Sequence, residues 1–296
     1  MSIASHQSRK SLFALISIAA LLAFSLTGCA KSSNEEAATA SCAKADLQTL
    51  TAGKLTIATG QPAYYPWVID DKPESGQGFE AAVAYAIAAK LGFANEEVSW
   101  VRTTFDGAIA PGDKTFDFNL QQFSITEERK NAVDFSTPYY TAPQAIVSFK
   151  GSKIAKATTL AELKSAKLGA AVGTTSLDAI SNQIGGTPQV FNDNAAAVSA
   201  LKNKQIDGLV VDLPTAFYLS AVEVPNGLIV GQLPSTGSGD QFGLLLAKGS
   251  PLTACVSQAV DAITADGSLE AITTKWLSTD AGAPVLRSEE HTSELQ

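Results

Sequence analysis

The sequence predicts an α/β protein built as two lobes, and two observations carry that expectation. Strand-like and helix-like segments alternate from residue 54 onward, the pattern of mostly parallel sheets flanked by helices. The alternation also falls into two successive series, with enough chain for a lobe each. In folds of this kind a ligand sits beyond the carboxyl ends of the strands.

In the first series Lys54 to Thr59 reads as a strand. The alanine-rich run Phe79 to Leu91 reads as a helix stopped by Gly92, a residue suited to the left-handed turn after a helix. Glu97 to Val101 and Phe116 to Leu120 read as strands. Thr126-Glu127-Glu128 opens a helix, a hydroxyl cap followed by acids that suit the positive end of the helix dipole. Gln144 to Phe149 is a strand. The second series begins with a short helix over Thr158 to Ser165. Leu168 to Val172 is a strand that turns at Gly173-Thr174-Thr175 into a helix reaching Ile184. Gln189 to Phe191 is a strand, Asn194 to Lys204 a helix, and Gly208 to Val211 a strand ending at Asp212, which opens another helix. Gln241 to Ala247 returns as a strand. Helices follow from Pro251, a first-turn residue, to Thr264, and from Ser268 to Leu277.

Hydrophobic residues make up 45% of the chain and charged residues 17%, globular rather than disordered values. Its two histidines, His6 and His291, stand at the extremes. Residues 1–28 carry Arg9 and Lys10 ahead of an apolar run, the layout of a secretory signal. The competing reading is a membrane anchor, for which the run is marginal in length. Leu26-Thr27-Gly28-Cys29 resembles the bacterial lipobox, in which the cysteine is lipidated and becomes the mature N-terminus. Residues 29–53 then start with the lipidated Cys29 and a polar tether. Residues 287–296 resemble the in-frame translation of a sequencing-library adapter and are read as a non-native tail, with a genuine polar tail as the alternative. With both ends set aside the body holds no histidine, which removes Ser-His and Cys-His nucleophile pairs and histidine-ligated metals. The formal charge is −8. An acidic body without a basic run argues against nucleic acid and anionic membrane surfaces as partners. Cys42 and Cys255 remain, and in an exported protein they are expected to form a disulfide, the alternative being two buried thiols.

At Gly78-Phe79-Glu80, and over the run SITEERKNAVDFSTPYY from Ser124 to Tyr140, the sequence resembles the family 3 solute-binding proteins of bacteria, amino-acid receptors of ABC importers. The resemblance extends over about residues 54–278. It implies the two-lobed periplasmic-binding-protein fold (type II), with two hinge crossings near Thr141–Gln144 and Pro234–Gln241. Lobe 1 is then discontinuous, 54–142 and 238–286, and lobe 2 with the hinge is 143–237. The resemblance also implies an extracytoplasmic, membrane-anchored lipoprotein, monomeric, that hands an amino-acid-like ligand to permease subunits.

A free amino acid presents a carboxylate and an ammonium, and a cleft must hold both away from water. Arg129 lies in the first turn after Thr126, where a planar guanidinium can grip a carboxylate through two bonds; it matches the family's carboxylate-binding arginine. Its bland alternative is a surface arginine paired with Glu127 or Asp134. Thr174 and Thr175 match the turn that binds the same carboxylate, or they simply cap a helix. Asp212 and Ser124 match the groups that meet the ammonium; an N-cap and a strand-end serine are the alternatives. Tyr64 and Phe105 match the aromatic walls of the side-chain pocket, and Trp67 either joins them or packs the lobe. Gln121 and Gln122 depart from the family pattern and are expected to narrow the pocket and add amide groups. Gly60 and Gln61 stand where binders of basic amino acids carry an aspartate, which disfavours arginine and lysine. No catalytic residue, metal ligand or cofactor is expected. Two other functions remain open: a ligand-sensing lipoprotein with the same domain, and a dehydratase-type enzyme using an acid such as Asp212 as proton donor.

Overall fold

A computed structural model of the chain describes residues 41–235, 239–277 and 283–288. Residues 1–40, which include the expected signal segment, Cys29 and the first part of the tether, lie outside the described residues, as do Thr236-Gly237-Ser238 of the second crossing and residues 289–296.

Lobe 1 carries a five-stranded sheet in the order β2-β1-β3-β10-β4. Its strands are β1 (Leu55–Gly60), β2 (Val98–Thr103), β3 (Phe118–Asn119), β4 (Val133–Ala142) and β10 (Asp240–Ala247). Lobe 2 carries the order β7-β6-β8-β5-β9, from β5 (Gln144–Phe149), β6 (Leu168–Ala171), β7 (Gln189–Phe191), β8 (Gly208–Asp212) and β9 (Gly227–Gln232). The expectation of mostly parallel sheets is corrected: both are mixed. Strand β1 is parallel to β2 and β3, while β10 is antiparallel to β3 and β4. Likewise β6 is parallel to β7 and β8, while β5 is antiparallel to β8 and β9. The reason is topological. Strands β4, β5 and β10 carry the chain between lobes, so they enter their sheets from the hinge rather than through a helical crossover.

Two strands and one helix were not legible in advance. β4 contains Pro138, which argues against a strand interior; it is accommodated opposite Gly243, between two register shifts in the β4–β10 ladder. β9 begins at Gly227 and has another glycine, Gly231, within it, residues that weaken a strand signal. Helix α2 (Phe105–Ile109) is short. Conversely, the helix expected over Thr158 to Ser165 is only a 3-10 turn, Ala161–Leu163. There the Glu162 carboxylate accepts from the backbone N–H groups of Thr158 (2.7 Å) and Thr159 (3.0 Å) and fixes a turn instead.

Helices α1 (Phe79–Lys90), α7 (Thr253–Ala265) and α8 (Ser268–Leu277) cover one face of the first sheet around Phe79, Ile87, Phe118, Phe242 and Val256. Gly78 has φ +104, and a Cβ there would stand 2.5 Å from the Trp67 carbonyl oxygen, so only glycine lets α1 start against that loop. In lobe 2, α4 (Thr175–Ala179, continued by a π-helical turn to Ile184), α5 (Asn194–Lys202) and α6 (Leu213–Tyr218) cover both faces of the sheet. Cys42 and Cys255 are bonded, with an S–S distance of 2.01 Å, tying the start of the body to α7.

The chain beyond α8 corrects the expected boundaries. Residues 283–288 pack on lobe 2, not lobe 1. Gln232 N donates to Pro284 O (2.8 Å), Leu286 N to Gln232 O (2.9 Å) and Arg287 N to Thr158 O (3.0 Å). Leu286 is buried among Ile146, Ile154, Leu163 and Leu168. The fold therefore includes Arg287, which was expected to begin the tail.

Candidate functional site

A cavity of about 330 Å³ lies between the lobes. From lobe 1 it is lined by Tyr64, Phe105, Gln121, Gln122 and Ser124, and from lobe 2 by Thr174, Thr175 and Asp212. Both sets reach it from the carboxyl ends of strands, where loops have freedom to converge.

Arg129 sits just behind that wall. It lies on the short helix α3 (Glu127–Lys130), whose start is capped as the sequence suggests: Thr126 Oγ1 accepts from Arg129 N at 3.1 Å. Arg129 is only 7% exposed. Nη1 donates to Ser124 O (2.7 Å), and Nη2 crosses to the other lobe to donate to Gly173 O (2.8 Å). The guanidinium carbon is 5.3 Å from the Phe105 ring centre, within cation–π range. The surface alternative fails, because Glu127 pairs with Lys130 and Asp134 with Lys248. Burial pushes the Arg129 pKa down, while the charges of Asp240, Asp178, Asp212 and Glu128 hold it up. Arg129 lines a neighbouring hollow with Glu128, Gly173 and Asp178 rather than the cavity itself.

Strand β6 ends at Ala171, and Thr174 caps α4: its hydroxyl accepts from Leu177 N (3.2 Å) and donates to Ala171 O (2.8 Å). That side chain is a helix cap. Thr175 Oγ1 is directed elsewhere, donating to Asp240 Oδ2 at 2.8 Å and standing 3.2 Å from Ser124 Oγ across the cleft. Asp212 occupies the N-cap position of α6, yet its side chain caps nothing. Oδ1 instead accepts from Gln144 Nε2 at 2.7 Å. Its carboxyl is pushed up to about 8, first by burial and then by the nearby charge of Asp240; the Gln144 hydrogen bond opposes the rise.

The aromatic candidates divide. Tyr64 lines the cavity with its hydroxyl buried; burial and the charge of Asp193 push it up to about 12, against the pull of the Ala195 backbone. Phe105 lines the cavity and stacks on Phe123 with ring centres 4.8 Å apart. Trp67 packs the lobe: it is 1% exposed, lies against Phe79, Tyr140 and Phe242, and donates from Nε1 to Thr215 Oγ1 at 2.8 Å.

The two glutamines also differ. Gln121 Nε2 lies 2.9 Å from where a Cβ on Gly60 would stand, so Gly60 makes room for it. Gln122 has φ +52, and its amide nitrogen does not serve the cavity as expected. Both its backbone N–H and its Nε2 donate to the buried Glu80.

Sequence reasoning missed Asp240 and Gln144. Gln144 Nε2 donates to Asp212 Oδ1 and to Asp240 Oδ2 (2.6 Å), while its Oε1 accepts from Ser176 Oγ (2.5 Å). The available signal was two polar residues flanking the crossings. Asp106 and Asp193, which also line the cavity, were missed as well.

Residues 55–279 match the bacterial extracellular solute-binding proteins, family 3. The chain belongs to that family. Among family 3 relatives, the L-cystine-binding protein TcyJ of Escherichia coli (strain K12) is 30% identical over 230 residues, covering 76% of this chain and 84% of the relative. The arginine-binding extracellular protein ArtP of Bacillus subtilis (strain 168) is 26% identical over 269 residues, covering 89% and 97%. An ancestral arginine-binding protein bound to glutamine superimposes with a TM-score of 0.65 at 33% identity, over 77% of this chain and 99% of that one. The ancestral amino acid-binding protein AncCDT-1, a precursor of cyclohexadienyl dehydratase, superimposes with a TM-score of 0.61 at 30% identity, over 76% and 95%.

Proposed function

We propose that this protein is the substrate-binding component of an ABC importer, capturing an amino acid or similar small zwitterion between its lobes and delivering it to a membrane permease. The observation that carries this reading is the placement of a carboxyl and a guanidinium at one inter-lobe cavity. Asp212 opens on the cavity, and the Arg129 guanidinium lies just behind its wall, bonded to carbonyls of both lobes. Asp212 then meets the ammonium, Arg129 with the Thr174–Thr175 turn meets the carboxylate, and Tyr64 and Phe105 flank the side chain. Relatives named for cystine, arginine, histidine and glutamine binding support an amino-acid ligand. In this reading Cys29 bears the lipid after removal of residues 1–28, and the anchored monomer works outside the cytoplasm.

The test is a thermal-shift screen of mature protein against the common amino acids and cystine, followed by calorimetry. A ligand at 100 times its Kd stabilises by about 2.7 kcal/mol. Arg129→Ala is expected to weaken binding of the cognate ligand at least about tenfold, roughly 1.4 kcal/mol. Unchanged affinity would remove Arg129 from the site. The raised pKa of Asp212 favours a second reading, a proton-donating enzyme of the dehydratase kind. Product formed from a cyclohexadienyl acid would establish it; saturable binding without turnover would set it aside.

A further inference from the structure

Asp240 stands at the start of β10, on the second crossing, and Gln144 at the start of β5, on the first. The two hydrogens of the Gln144 amide point at different carboxylates, Asp212 Oδ1 at 2.7 Å and Asp240 Oδ2 at 2.6 Å. The amide cannot turn away, because its oxygen is held by the Ser176 hydroxyl. Asp240 is fixed again by Thr175 Oγ1 at 2.8 Å, and Thr175 touches Ser124 of the opposite lobe. One hydrogen-bonded chain thus joins both crossings, both lobes and the carboxylate that opens on the cavity.

We propose that Asp240 is a positioning residue of the cleft: with Asp212 it brackets the Gln144 amide as a carboxylate pair, and a ligand ammonium settling on that pair displaces a proton. The inference rests on the importer reading of the site. Two carboxylates sharing one neutral donor repel when both are ionised. The groups facing Asp212 are Asp240 from β10, Glu80 from α1, Tyr139 from β4 and Arg129 from α3. Arg129 supplies a single positive charge beside the two carboxyls, Asp240 and Glu80. Burial first, and then the charge of Asp240, push the Asp212 carboxyl up to about 8. When the ammonium arrives, the Asp212 O–H bond breaks, the proton passes to buffer, and the carboxylate pairs with the ammonium. Burial and Asp240 together keep the pair protonated until a cation comes, which makes the seat selective for cations over neutral donors.

Calorimetry of the full mature protein tests this, using the amino acid that gives the largest thermal shift, in buffers of different ionisation enthalpy and from about pH 6 to pH 7.5. The wild type should release close to one proton, with affinity rising toward about tenfold per pH unit. Asp240→Asn preserves shape and removes the charge, so proton release and pH slope should fall by at least half. Asp240→Ser should agree, and Asp240→Glu should restore both. A purely structural role would change affinity without changing the proton count. Equal proton release and slope in wild type and Asp240→Asn would overturn the inference, as would a wild type that releases none. Failure of the wild type to bind any amino acid would overturn the importer reading together with it.

Discussion

Glu80 occupies the second position of α1, 1% exposed, and its carboxylate accepts from the Gln122 backbone N–H at 2.8 Å. Gln122 Nε2 and the Tyr139 hydroxyl donate to it as well. Gln122 holds φ +52, a conformation costly for a residue with a side chain, and these bonds pin it there. Burial pushes the Glu80 carboxyl from 4.5 up to about 7 against the pull of its three donors. Between those two values the folded protein binds the proton and the unfolded chain does not. Stability therefore falls as pH rises through that window, by up to about 3 kcal/mol from this residue. Asp212 acts in the same direction and is common to wild type and variant. Urea denaturation at pH 5 and pH 8 should show a smaller loss of stability in Glu80→Gln, which does not titrate. An equal loss in both would mean that Glu80 is already ionised at the lower pH.

Among the elements, α7 is bound to the start of the body by the Cys42–Cys255 bond, closing a sequence separation of 213 residues. The chain-entropy model gives such a loop about 5 kcal/mol, and removal of native disulfides costs about 2–5 kcal/mol. Cys42→Ser with Cys255→Ser should lower stability by that amount, read from urea unfolding under non-reducing conditions. Affinity should change less than about twofold, because α7 packs on the face of lobe 1 formed with β4 and α1 and contributes nothing to the cavity lining. What was legible in the sequence follows the range of the interactions. Helix α1, the cap at Thr126 and the cap at Thr174 depend on residues within a few positions, and each could be read locally. The strand β4 could not, because Pro138 is tolerated only through a bulge opposite Gly243, a partner more than a hundred positions away. The site divides in the same way. Arg129, Thr175 and Asp212 stand next to readable element ends. Gln144 and Asp240 meet only through the crossing of two hinge strands, 96 positions apart. Their bond exists at the level of topology and leaves no local pattern.

The whole molecule is held together across the cleft by a small set of contacts. Arg129 donates to Gly173 O, Ser124 Oγ meets Thr175 Oγ1, and the Tyr65 and Tyr218 rings stand 4.8 Å apart. A further contact lies outside the cavity lining: Trp67 Nε1 donates to Thr215 Oγ1 at 2.8 Å, with Thr215 buried on α6. If ligand capture works by closing the lobes, this bond is formed in the closed arrangement and exchanged for water in an open one. Thr215→Val keeps the volume and deletes the acceptor, leaving a buried indole N–H unpaired only when the lobes are closed. That penalty is about 1–2 kcal/mol, which for a ligand that binds the closed form predicts an affinity about five- to thirtyfold weaker. The loss should fall on the dissociation rate, since encounter with the open cleft is unchanged. Trp67→Phe should weaken binding for the same reason, and the double variant should lose less than the sum of the two, the mark of a shared contact. Calorimetry and stopped-flow fluorescence measure these quantities, and X-ray scattering of the saturated proteins checks that each variant still closes. Additive effects, or a wild-type dissociation rate in Thr215→Val, would show that closure does not draw on this bond.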